Sequence, residues 1–105
     1  MTYRLTLQAE TDLEGILDFI ALRDGETRAE SVLDSFAAAF EHLAASPLVG
    51  RVRANLTGSE LRWWPVRRWL ILYEPSLPIT VMRIVHGARD IDRTITGWFG
   101  RTDDD

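Results

Sequence analysis

Along the first seven residues, apolar Tyr3, Leu5 and Leu7 alternate with Arg4 and Thr6, which predicts a short half-buried strand over residues 3–7. From Ala9 the period lengthens. Ala9, Leu13, Ile16, Leu17 and Ile20 fall at helical spacing, with Glu10, Asp12, Glu14 and Asp18 on the other side, so an amphipathic helix with an acidic face follows and ends at Gly25. "TRAE" at 27–30 has the form of a capping box, with Thr27 as N-cap and Glu30 reaching back. It leads a second apolar stripe of Ala29, Val32, Leu33, Phe36, Phe40 and Leu43 that stops by Ser46-Pro47. The short "RDGE" link makes the two helices an antiparallel hairpin.

Residues 46–60 keep no period and carry Pro47, Gly50 and Gly58, which predicts a loop. Three strands are then expected: "LRWWPV" at 61–66 and "WLILYE" at 69–74 around a tight Arg67-Arg68 turn, and "ITVMRIVH" at 79–86 after "PSLP". Links this short favour an antiparallel meander. "ARDIDRTITGWF" spaces Ile91 and Ile95 as a short helix. The expected fold is therefore α+β: an N-terminal strand and a helical hairpin packed on an antiparallel sheet, with a C-terminal three-strand meander and a short terminal helix. A single domain should span 1–96, with 97–105 a flexible acidic tail, and trimming "WFGRTDDD" at 98–105 should spare folding.

Composition narrows the function. The 105 residues are 46% hydrophobic and 27% charged, as in one globular domain with its own core. With no cysteine and two histidines, disulfides and thiolate metal sites are excluded and imidazole sites are hard to build, so no metal or cofactor is expected. No run reaches the roughly 18 apolar residues of a membrane span and the start lacks a signal-peptide pattern, so a cytoplasmic protein without a membrane role is expected. The net charge of −4 conceals a division: residues 1–50 hold three Arg against nine acids, whereas 51–93 hold eight Arg against four.

Taken in order, "QAETDLEGILDFIA", "LAASPLVGRVRANL", "LRWWPVRRWLILYE" and "VMRIVHGARDI" resemble the RelE/ParE superfamily of bacterial type II toxin–antitoxin systems, its ParE branch in particular, over roughly residues 3–95. The resemblance implies a growth-inhibiting toxin held by a cognate, ParD-like antitoxin in a hetero-oligomer. DNA gyrase or another type II topoisomerase would be the target, and DNA would be contacted only through the antitoxin. Two alternatives stay open: a RelE-like ribosome-dependent mRNA endonuclease, and a non-toxic remnant that binds antitoxin and tunes repression of its operon.

Metal-free RNA cleavage needs a base, an acid and cations around the phosphorane. The candidates for that chemistry are Arg62, Arg68, Arg83 and His86. Side-chain alternation sets Arg83 and His86 on opposite faces unless the strand bulges between them, so a binding toxin is favoured and no catalytic residue is assigned. Arg83 has a plain structural alternative, an ion pair with Glu74 or Glu60; Asp90 can cap the last helix; Gly87 supplies the turn in "HGARD". For antitoxin or target binding the candidates are Arg51, Arg53, Arg62, Trp64, Arg67, Arg68, Arg83 and Arg89, an aromatic anchor ringed by cations that suits an acidic, apolar peptide. Trp63 and Trp64 must face opposite sides of the sheet.

Overall fold

The computed structural model describes residues 2–52 and 61–87. The terminal helix and its Asp90 cap, the tail, Arg53 and Arg89 lie outside the described residues. Within them the order is β1 (Tyr3–Leu5), α1 (Leu7–Asp24), α2 (Glu26–Ala45), β2 (Arg51–Val52), β3 (Arg62–Val66), β4 (Trp69–Glu74) and β5 (Ile79–His86).

The first strand is shorter than the alternation suggests because Thr6 starts the helix instead of continuing the strand. Its hydroxyl accepts from the Ala9 N–H at 3.0 Å, capping α1, and donates to the Met82 carbonyl of β5 at 2.9 Å. One residue thus caps the helix and fixes it to the sheet. The hairpin between α1 and α2 turns on Gly25 alone, at φ 95° and ψ 165°, a conformation that residues with a Cβ adopt only under strain. That single-residue reversal corrects the capping-box expectation. Gly25 is at once the C-cap of α1 and the N-cap of α2, so Thr27 lies inside the helix and no side chain caps α2.

The five strands form one sheet in the order β1-β5-β4-β3-β2. β2 is a strand of two residues within the expected loop, paired antiparallel with β3 through Arg51↔Trp63 and Val52↔Arg62. β1 runs parallel to β5, so the sheet is mixed and not wholly antiparallel. The reason is geometric: the helical hairpin carries the chain out and back, and an up-and-down pair of helices returns it without reversing β1 relative to the last strand.

The core lies between the helices and one sheet face. Val32, Phe36, Phe40 and Leu43 of α2 are buried against Trp69, Ile71, Tyr73, Val81 and Ile84, and aromatic rings link the layers at 5.2 Å for Tyr3–Phe40 and 5.7 Å for Phe36–Trp69. Leu72 and Val85 are buried on the other face, where Trp63 and Leu70 pack against them. The two tryptophans therefore face opposite ways, as alternation requires. Trp64 belongs to the helix side, its ring 5.1 Å from that of His42.

Candidate functional site

The Arg- and Trp-rich meander divides into two groups of residues with different work. Arg62 begins β3 opposite Tyr73 and reaches the segment that follows α2, donating from Nη1 to the Gly50 carbonyl at 2.9 Å and the Leu48 carbonyl at 3.1 Å. Its buried Nε finds no hydrogen-bond partner among the described residues. Tyr73 joins the same segment. Its hydroxyl donates to the Pro47 carbonyl at 2.7 Å and accepts from the Gly50 N–H at 2.9 Å. A Cβ on Gly50 would lie 2.5 Å from that hydroxyl, so only glycine fits there. Arg62, a candidate phosphate clamp in the sequence, is thus engaged in fastening a loop.

The second group lines a pocket of about 1050 Å³ bounded by α1, the start of α2, the β3–β4 turn and the end of β5. Between β4 and β5 the register shifts, with Leu72 paired to Arg83 but Tyr73 to Val81, and the bulge leaves Met82 unmatched. The bulge precedes Arg83, so the run from Arg83 to His86 pairs in unbroken register and alternates normally. Arg83 and His86 nonetheless both line the pocket, because Arg83 reaches Asp12 on α1 past the point where β1 stops pairing with β5.

Arg83 donates from Nε and Nη2 to the two carboxylate oxygens of Asp12 on α1 at 2.8 and 3.1 Å, and the Ile84 N–H donates to the same carboxylate at 2.9 Å. β1 pairs only as far as Val81, so Asp12 caps the stretch of β5 edge just beyond it. The hydrogen bonds to Asp12 raise the Arg83 guanidinium pKa further above its usual value, against the opposing effect of desolvation. Asp12, 71 positions away, is the ion-pair partner of Arg83, and Glu60, the other carboxylate considered beside Glu74, lies outside the described residues.

Arg67 occupies the turn with φ 55°, unusual for a residue with a side chain, and donates to Ser35 Oγ at 3.0 Å and Ser31 Oγ at 3.4 Å on α2. Arg68 follows it and also lines the pocket. His86 meets Trp69 edge-on at 6.3 Å. Arg51 lies exposed on the edge strand across from Trp63. The structure therefore brings together Arg67, Arg68, Arg83 and His86 and separates them from Arg62 by the length of β3, roughly 13 Å at strand rise. Trp64, packed beneath the helices, is not the open anchor its sequence neighbours imply.

Sequence reasoning missed Asp12, Phe19, Arg23 and Arg28, all of which line this pocket. Their only signal was helical position, which says nothing of which strand end they approach. Among the described residues no cluster of three or more His, Asp or Glu could hold a metal ion, and no helix is long and apolar enough to cross a membrane.

The family model described as the ParE toxin of the type II toxin–antitoxin system parDE matches residues 3–91. The chain belongs to this family. The ParE fold is seen again in a solved structure titled as the chromosomal ParDE system from P. aeruginosa, with a TM-score of 0.69 over 83% of this chain and 96% of that one at 18% identity. No curated protein matches the chain. In this ParE-family chain the segments that carried the resemblance hold the fold together: "SPLVG" supplies the Pro47 carbonyl and the Gly50 cradle, and "RWLILY" supplies the Tyr73 that joins them.

Proposed function

We propose that this ParE-family chain inhibits growth by binding a type II topoisomerase, DNA gyrase first among them, and that a ParD-like antitoxin neutralises it by covering its cationic surfaces. The observation that carries this reading is the family match over residues 3–91, supported by the prior engagement of cations that RNA cleavage would need. Arg62 is bound to two backbone carbonyls and Arg83 to Asp12, so two of the three arginine candidates for phosphorane stabilisation are already engaged. A toxin that acts by binding needs no such set.

Purified chain assayed in parallel for gyrase supercoiling and for ribosome-programmed mRNA cleavage tests the reading. Inhibited supercoiling with intact mRNA is expected. Cleaved mRNA with normal supercoiling would replace this reading by the endonuclease alternative, and unimpaired growth on expression without antitoxin would replace it by the non-toxic remnant.

A further inference from the structure

The turn between β3 and β4 is made by arginines where glycine or asparagine would be the easier choice, and Arg67 holds φ 55° there. Its guanidinium donates from Nε and Nη2 to the hydroxyls of Ser35 and Ser31, neutral partners that fix the side chain and leave its charge whole. Arg68 follows it, exposed. Arg28 is also exposed, early in α2 on the helix face that carries Ser31 and Ser35. All three line one pocket with Arg23 and Arg83, five arginines against the two aspartates 12 and 24. Those aspartates are engaged elsewhere, Asp12 by Arg83 and Asp24 by Arg23 at 3.7 Å. Among the described residues no carboxylate pairs with Arg28, Arg67 or Arg68.

The chain itself brings negative charge to this place. β5 ends at His86, which lines the same pocket, and Gly87 turns at φ 62° so close to the arginine turn that an added Cβ would lie 3.5 Å from the Arg68 carbonyl oxygen. Residues 88–105 therefore start beside Arg68. They close on Asp103, Asp104 and Asp105, the only run of three consecutive like charges in the sequence. From Gly87 to Asp103 the backbone can cover up to about 55 Å, ample length to return to the turn. Tethering gives such a segment a high effective concentration at a site beside its own root. Planar guanidinium groups then suit its carboxylates.

We propose that residues 103–105 dock on the β3–β4 turn of their own chain, their carboxylates held by Arg28, Arg67 and Arg68. The free chain then covers its own cationic turn, and an acidic ligand must displace the tail to reach it. Because the sequence has no cysteine, Thr102→Cys takes a single nitroxide label and leaves the three aspartates intact. In about 0.01 M salt, where charges act over about 30 Å, the label should broaden the amide signals of Arg28, Arg67 and Arg68 more than those of β2. In about 1 M salt, with a screening length of about 3 Å, that broadening should vanish. The same label in the full-length Asp103→Asn/Asp104→Asn/Asp105→Asn variant should leave the three signals sharp. Without the label, that variant should bind a poly-glutamate peptide on the order of tenfold more tightly than the unsubstituted chain at low salt. Signals that stay sharp with the acidic tail, equal broadening with the neutral tail, or equal peptide affinity of the two chains overturn the proposal. Broadening of an isotope-labelled chain by a separate nitroxide-labelled copy would place the tail on a second molecule and overturn it as well.

Discussion

Tyr73 shows how much a single hydroxyl can hold. Fully buried within the sheet, it is the only described side chain that joins β4 to both Pro47 and Gly50. Burial raises its pKa above the ordinary 10.0, with the Gly50 hydrogen bond and the Arg62 charge pulling the other way. The folded chain therefore keeps the phenolic proton more tightly than the unfolded one. The sign follows: this contribution is complete below about pH 10 and declines as pH rises through the folded value. Tyr73→Phe should lower stability by about 1–3 kcal/mol at neutral pH, through the loss of both hydrogen bonds. In denaturant titrations repeated from pH 8 to 11, the variant should also lose part of the alkaline decline seen in the unsubstituted chain. A second residue, Asp12, satisfies one backbone and one side-chain partner at once. Asp12→Ala should cost about 2 kcal/mol, whereas Asp12→Asn, which keeps an acceptor for the Ile84 N–H, should cost less; urea midpoints distinguish them.

At the scale of elements, the helices were legible because each shows an apolar stripe long enough to reveal its period. The exact ends were not. Thr27 matches the capping box in sequence, yet the turn is made by Gly25, whose conformational freedom takes priority over side-chain capping. Gly25→Ala should therefore destabilise the chain by about 1–3 kcal/mol, read as a lowered thermal midpoint, even though nothing lies within 4 Å of the added methyl. β2 escaped notice because two residues carry no period. The bulge at Met82 was not legible, because it depends on pairing with β4, and it falls before Arg83 and not between Arg83 and His86.

For the whole molecule, residue types were easier to read than their partners. The meander's excess of arginine was plain, but what each arginine does is set by residues far away in the chain: Asp12 for Arg83, Ser31 and Ser35 for Arg67, Leu48 and Gly50 for Arg62. No pattern within a short window contains such information. After those pairings the β3–β4 turn still presents the exposed Arg67 and Arg68 beside an acidic N-terminal half. This opposition of charge should make association with an acidic partner depend on ionic strength, with the association rate, measured by stopped flow, falling steeply as salt rises while dissociation changes less.

The parallel pairing of β1 with β5 also sets a schedule. Thr6 and its partner Met82 are separated by 76 positions, so β1 waits for the much later synthesis of β5 before its edge is satisfied. The helical hairpin depends on local contacts and can form early, but closing so long a loop is entropically costly and comes late. A chain interrupted before β5 would leave the apolar stripes of both helices without their sheet. Synthesis broken off partway therefore yields no folded fragment.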